Sequence, residues 1–258
     1  MQHSGKDKQV KGSVEGSHAH CPKHGPYEQK VLSMFPGRDP IKSRCPKCEA
    51  EAQAEREAKA EMEAEFEREH RRAQLSRGSG IPKRFAGKTL DDYIAKSEGQ
   101  IAALQFAKRF AMSDNPERSM ILCGKPGTGK THIACAIGLQ TIHRCMSVKF
   151  ATVLGAVRTV KDTYRRDSQI SESEALRELQ APDLLILDEV GIQVGSEHEK
   201  MLVFEIINDR YAQCRPTILI SNLNEKDLTE YLGERLVDRF REGGAVIPFD
   251  WESHRGAK

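Results

Sequence analysis

Apolar residues gather in five short runs, at 119–123, 147–152, 183–187, 216–221 and 245–249. Each has the length and continuity of a strand buried on both faces. Between them the period changes: after the first run, Ile133, Ala136, Ile137 and Ile142 recur at helical spacing, so a helix is expected there. Strands alternating with helices predict an α/β domain with a parallel sheet covered on both sides. A different pattern runs from Glu49 to about Leu75, rich in Ala, Glu and Arg, with Glu55 before Lys59 and Glu67 before Arg71. These i,i+4 pairs predict a long solvated helix. Its large apolar residues, Met62, Phe66 and Leu75, are too few for a heptad seam.

Punctuation divides the chain. Residues 1–17 are polar and aperiodic and read as a disordered tail. Residues 18–48 form a small Cys/His module, 49–77 the charged linker helix, and 78–258 the α/β domain, with Arg77-Gly78-Ser79-Gly80 as the break.

The chemistry sits at the ends of the apolar runs. Gly124-Lys125-Pro126-Gly127-Thr128-Gly129-Lys130-Thr131 fits GxxxxGK[ST] between a strand and a helix. Glycines let successive N–H groups and the helix N-terminus converge on phosphate oxygens. Lys130 would reach the β- and γ-phosphates, and Thr131 would place its hydroxyl on Mg²⁺. Leu184-Leu185-Ile186-Leu187 ends in Asp188-Glu189. A buried strand delivers these acids to the edge where open α/β sheets bind ligands, Asp188 for Mg²⁺ and Glu189 to polarise the attacking water. Thr217-Ile218-Leu219-Ile220-Ser221 ends in Asn222, positioned to sense a γ-phosphate or to be an ordinary strand-end turn. Arg235 and Arg239 lie four apart, on one helical face, a natural contact for a neighbour's γ-phosphate.

Cys21-Pro22-Lys23-His24 and Cys45-Pro46-Lys47-Cys48 form two C-x-x-[CH] knuckles, whose four ligands suit a closed, structural tetrahedral zinc site. His18 and His20 are rivals of His24, which is favoured because its spacing mirrors the second knuckle. Cys123, Cys135, Cys145 and Cys214, in or beside apolar patterns, read as reduced core residues.

Charge adds one restriction. With 40 basic and 38 acidic residues in 258, the net charge of +2 gives no global basic field, so a nucleic-acid surface must be local. Lys149, Arg158, Lys161, Arg165 and Arg166 supply a candidate. Arg158, Lys161 and Arg165 at i, i+3 and i+7 would share one face with Tyr164 adjacent for stacking; a solvated basic face is the alternative. No run is long enough to span a membrane and the opening residues lack a signal-peptide core, so a cytoplasmic protein is expected.

The phosphate loop, LLILDE, ILISN, GERLVDRFR and the terminal Phe249-Asp250-Trp251-Glu252-Ser253-His254-Arg255, taken in order, resemble the DnaC-type bacterial replicative helicase loaders of the AAA+ ATPases over about residues 81–255. Ile81-Pro82-Lys83-Arg84-Phe85 resembles that family's lead-in near the adenine pocket. The resemblance implies a weak, DNA-modulated ATPase that binds the hexameric replicative helicase and places it on single-stranded DNA, with ATP-dependent self-association. By position it makes Asn222 the first sensor, Arg235 or Arg239 the finger acting in trans, and Arg255 the second sensor. The knuckles depart from the plainest members of the family and resemble some phage or prophage-type loaders; the module and the helix after it are the candidate helicase-docking arm. The alternatives are an IstB-like transposition ATPase acting on duplex DNA, a zinc-dependent adaptor using nucleotide as a structural ligand, and a small-molecule kinase.

Overall fold

The computed structural model describes residues 13–33, 39–113, 119–191 and 197–254. The chain divides into two compact units, Met1–Glu67 and Arg68–Lys258.

In the first unit β1 (Ser13–Cys21) and β2 (Gly25–Ser33) form an antiparallel hairpin in continuous register from Ser13↔Ser33 to Cys21↔Gly25, and the two-residue β3 (Ile41–Lys42) pairs with the far side of β2. Along β2, Tyr27, Gln29 and Val31 are half-buried while Pro26, Glu28 and Lys30 are exposed, the period of a strand covered on one side. Residues 13–17, expected in an aperiodic tail, belong to β1. Ladder hydrogen bonds to β2 recruit them, and apolar alternation in β1 itself has no part in it. The helix α1 (Pro46–Gly78) starts before Glu49, so Cys48 lies in its first turn, and it ends at Gly78. Gly80 follows at φ +72°. From Arg68 onward the helix belongs to the second unit: Arg72 Nε donates to the His143 carbonyl at 2.8 Å and Leu75 packs against that unit's core.

The second unit is built on a five-stranded sheet. In chain order it comprises α2 (Glu98–Met112), β4 (Met120–Gly124), α3 (Lys130–His143), β5 (Val148–Thr152), α4 (Val153–Asp162), α5 (Glu172–Gln180), β6 (Leu184–Val190), α6 (Glu197–Ala212), β7 (Thr217–Ser221), α7 (Glu225–Leu232), α8 (Glu234–Gly243) and β8 (Ala245–Phe249). The strands run parallel in the order β5-β6-β7-β4-β8. Alternate residues face two cores. Met120, Leu122, Ile186, Ile218 and Ile220 pack under α2 and α3, whereas Ile121, Leu185, Leu187 and Leu219 pack against the α4–α8 side. Both strand faces are therefore apolar, which is why these runs are continuous in sequence. Because all strands are parallel, β4, β6 and β7 present their C-terminal ends along one edge. β7 separates β4 from β6, so Asn222, the residue after β7, stands between the phosphate loop and the acidic pair.

Two cysteines depart from expectation. Cys123 and Cys135 are fully buried, but Cys145 is half-buried and Cys214 exposed. These last two take φ +61° and +53° just after α3 and α6, the left-handed position at which helices stop. None of the described helices is long and apolar enough to cross a membrane.

Candidate functional site

The phosphate loop closes β4 and opens α3, whose first residue is Lys130. Two glycines are required by geometry. At Gly124 (φ +114°) a Cβ would lie 2.8 Å from the Phe249 carbonyl oxygen, and at Gly129 (φ +98°) it would lie 2.5 Å from Tyr93 Cε2. Lys130 is buried, and its Nζ donates to the Gly124 and Lys125 carbonyls at 2.7 Å each. Thr128, also buried, donates its hydroxyl to the Lys125 carbonyl at 2.8 Å.

A cavity of about 690 Å³ opens at this edge. It brings together Pro126, Gly127, Gly129, Lys130 and Thr131 of the loop, Asp188 and Glu189 of β6, and Asn222. Gly124, Lys125 and Thr128 are not in its lining; they form the frame behind it. Pro82, Arg84 and Phe85, from the segment 81–85, form part of its wall together with Ile94.

The acids differ in environment. Thr131 Oγ1 donates to Asp188 Oδ2 at 3.0 Å, and the Glu189 N–H donates to Asp188 Oδ1 at 2.7 Å. Burial pushes the Asp188 carboxyl above its ordinary range, against the pull of those two donors and the Lys130 charge. Glu189 sits at φ +65° where the β6–β7 register shifts between Leu187 and Val190, and it is exposed at the cavity. A non-glycine residue in that region is strained. The bulge breaks the strand's alternation, and Asp188 and Glu189 both line the cavity.

Arg235 and Arg239 lie on α8, outside this cavity. Arg235 is exposed; Arg239 is half-buried, stacks 4.8 Å above the Tyr211 ring and donates to Asn208 Oδ1. Arg255 lies outside the described residues. Arg158 and Lys161 occupy the exposed face of α4 opposite the buried Ala156, Val157 and Val160. Arg165 departs from the expected single helical face. α4 stops at Asp162, and Arg165 lies beyond it in a turn, its Nε 3.3 Å from Asp167 Oδ1. Tyr164, exposed beside it, donates its hydroxyl to Glu172 Oε1 at 2.9 Å. Lys149 lies on β5, paired with Glu178 at 3.4 Å.

In the first unit the ligand atoms of Cys21, His24, Cys45 and Cys48 lie within 4.8 Å of one another. His24 Nδ1 is 3.8 Å from Cys21 Sγ, 3.7 Å from Cys45 Sγ and 3.3 Å from Cys48 Sγ, and Cys21 and Cys48 are 3.5 Å apart. Bond lengths of about 2.3 Å to sulfur and about 2.0 Å to nitrogen imply ligand separations of about 3.6–3.8 Å around a tetrahedral zinc, so the donor set fits. His18 and His20 are not in this cluster. The Lys23 backbone N–H holds the Cys21 thiol down at about 6, while hydrogen bonding to Cys21 pushes Cys48 up to about 11. His24 Nε2, on the other side of the ring, is 3.1 Å from Glu51 Oε1, and Glu51 Oε2 accepts from Lys23 Nζ at 2.6 Å.

Sequence reasoning missed Glu51, Tyr93 and Trp251. Glu51 stands three residues after Cys48, one turn along α1, a spacing that could have been used. Tyr93 OH and Trp251 Nε1 reach the Thr128 carbonyl from 35 and 123 residues away, and no local pattern encodes such contacts.

Residues 54–256 match the family described as IstB-like ATP binding protein. The replicative helicase loader DnaC of Escherichia coli K12 is 38% identical over 179 residues, covering 69% of this chain and 73% of that protein; its counterpart from Buchnera aphidicola (subspecies Acyrthosiphon pisum) is 37% identical over the same shares. Among solved structures, the DnaC helicase loader superposes with a TM-score of 0.58 at 24% identity, over 65% of this chain and 99% of that one. DnaI gives 0.57 at 24% identity, over 69% and 95%. AMPPCP-bound DnaA from Aquifex aeolicus gives 0.55 at 24% identity, over 66% and 51%. The parallel sheet with its phosphate loop is thus the AAA+ P-loop fold, and the chain belongs to the IstB/DnaC family of ATP-binding proteins.

Proposed function

We propose that this protein is an ATP-dependent loader that places the hexameric replicative DNA helicase on single-stranded DNA, hydrolysing ATP weakly and under DNA control. The observation that carries the reading is the 38% identity to a replicative helicase loader across 69% of the chain. The cavity edge supports the ATPase part, because Lys130, Thr131, Asp188, Glu189 and Asn222 meet there.

In this mechanism the loop amides and the α3 N-terminus hold the β- and γ-phosphates. Lys130 Nζ exchanges its carbonyl partners for phosphate oxygens, while Thr131 and Asp188 would hold Mg²⁺. When bound, the ion neutralises charge developing on the transferred phosphoryl group. Glu189 orients and polarises the attacking water, and Asn222 reads the γ-phosphate. Arg239 or Arg235 acts on the nucleotide of a neighbouring copy, which requires ATP-dependent self-association on the helicase, and Arg255 serves as the second sensor. Arg158, Lys161, Tyr164 and Arg165 contact single-stranded DNA. Cys21, His24, Cys45 and Cys48 hold a structural zinc, and their module with α1 docks on the helicase. The protein works in the cytoplasm. The working divisions are the zinc module, which includes β1 from Ser13, the helix α1 and the ATPase domain that follows it.

The family match to an IstB-like protein favours a second reading, a transposition helper acting on duplex DNA. Native mass spectrometry of the protein with the hexameric helicase of its own cell, ATP and single-stranded DNA separates the two. Several copies per hexamer are expected. No complex, from protein that still binds ATP and DNA, would transfer the assignment to the transposition reading.

A further inference from the structure

The phosphate loop is gripped by groups outside it, two of which, Tyr93 and His254, also line the cavity. The Thr128 carbonyl oxygen accepts twice, from Tyr93 OH at 3.1 Å and from Trp251 Nε1 at 3.0 Å. The Gly127 carbonyl accepts from the His254 N–H at 3.0 Å, and the Lys125 N–H donates to the Phe249 carbonyl at 3.0 Å. Residues 249–254 thus touch the loop backbone at three residues, Lys125, Gly127 and Thr128.

A trans peptide is planar, with its C=O and N–H pointing in opposite directions. Fixing the Thr128 carbonyl on the Tyr93 and Trp251 side therefore turns the Gly129 N–H away from them, and fixing the Gly127 carbonyl does the same for the Thr128 N–H. Gly127 and Gly129 line the cavity. Both donors are themselves held. The Trp251 ring lies 4.5 Å from the Phe249 ring, and a Cβ at Gly99 would be in ordinary contact with it at 3.5 Å. The Tyr93 ring sits edge-on between His132 and His254 at 6.0 and 6.1 Å. Donors aimed in advance bind an anion without reorganisation.

We propose that Tyr93 and Trp251 are positioning residues of the phosphate site, which together turn the Thr128–Gly129 peptide so that its N–H faces the triphosphate, and that Trp251 ties this peptide to the segment 249–254. The inference rests on the reading that the cavity takes ATP. It assigns the two residues to phosphate recognition and not to the base. It also makes the indole a reporter, since Trp251 is the sole tryptophan of the chain.

The test compares Trp251→Phe, Tyr93→Phe and the double variant of the full chain with wild type, titrating magnesium ATP and adenosine by calorimetry. Tyr93→Phe keeps the ring and removes only the hydroxyl, whereas Trp251→Phe keeps an aromatic ring but trims the indole along with its N–H, and thermal melts check folding. Each single variant should weaken ATP about tenfold, the scale of one hydrogen bond, and the double variant should weaken it more than either single. Adenosine affinity should stay within twofold, which a merely structural role would not respect. Wild-type indole emission should change with ATP and not with adenosine. ATP affinity within twofold of wild type in both single variants would overturn the proposal, as would equal losses for ATP and adenosine. A wild-type chain that binds no ATP overturns the ATP reading itself, and this inference with it.

Discussion

Thr131 Oγ1 donates to Asp188 Oδ2 at 3.0 Å, joining the first turn of α3 to the C-terminal end of β6. β7 lies between β4 and β6 in the sheet, so this bond spans the edge where a divalent cation would sit. The hydroxyl offsets part of the burial that raises the Asp188 pKa. With the folded-state value above the ordinary 3.8, the native state holds its proton more tightly than the unfolded chain. The stability contributed by Asp188 is therefore present in acid and lost as pH rises through the folded value. Asp188→Asn removes the charge, so the nucleotide-free variant should melt higher than wild type at pH 7, with the difference shrinking toward pH 4. The same variant should lose magnesium-dependent ATP binding. A lower melting temperature at pH 7 would mean that the Thr131 bond outweighs the burial of charge.

Glu189 has the strained backbone and the exposure expected of a water-activating base. Glu189→Gln preserves the shape and the bulge while removing the base. Turnover should fall about 10²-fold or more with ATP affinity retained. Normal turnover by this variant would remove Glu189 from the reaction.

Arg239 touches Tyr211 and Asn208 and lies outside the cavity of its own chain. Arg239→Ala should leave ATP binding to the isolated protein intact while abolishing DNA-stimulated turnover. Since the guanidinium also packs on an aromatic ring, a modest fall in melting temperature is expected as well. Unchanged turnover would move the trans role to Arg235.

Arg210 is fully buried on α6. Its guanidinium donates to the carbonyls of Leu179, Gln180, Pro182 and Pro216 and to Thr217 Oγ1, all between 2.6 and 3.3 Å. It caps the end of α5 and fastens the starts of β6 and β7. Burial lowers its pKa to about 9, yet it stays cationic at neutral pH. Arg210→Met keeps the aliphatic bulk and leaves buried carbonyls without donors, each costing about 1–3 kcal/mol. A loss of about 3–5 kcal/mol is expected, a fall of roughly 10 °C or more in a domain of this size. A shift within 2 °C would show that water replaces the guanidinium.

The central strands were legible because they are buried on both faces and so form unbroken apolar runs, as in Met120–Gly124 and Thr217–Ser221. The phosphate loop was legible because its residue types are dictated by local backbone geometry, Gly129 being the plainest case. The β1 strand was not, since its pairing comes from the ladder with β2 and its residues Gly16, Ser17, His18 and His20 carry no apolar period. Arg210 carries no signal of its role in the sequence, since only tertiary packing makes it the staple of two strand starts. The same holds for Tyr93 and Trp251, whose target is a carbonyl, a group that every residue has. Cys145 and Cys214 looked apolar by neighbourhood, yet each is the second residue past a helix end, at positive φ, where the backbone sets the exposure.

The metal centre gives the remaining prediction. Three thiols and one imidazole meet within 4.8 Å in a unit whose described residues form a sheet of three strands, and a core that small needs a staple. One zinc per chain is expected by elemental analysis, and Cys45→Ser should lower its occupancy and melt the hairpin. Glu51 should matter almost as much without touching the ion. By engaging His24 Nε2 at 3.1 Å it fixes the ring so that Nδ1 faces the thiols, and such partners typically contribute 10–100-fold in metal affinity. In competition with a chromophoric chelator, Glu51→Ala should weaken cobalt or zinc by about that factor, and Glu51→Gln, which keeps an acceptor oxygen, should recover most of it. A chelator should erase the hairpin's amide protection while leaving the melting of the ATP-binding unit unchanged. Full zinc occupancy in Cys45→Ser would remove that ligand; unchanged affinity in Glu51→Ala would reduce the Glu51 contact to a surface hydrogen bond.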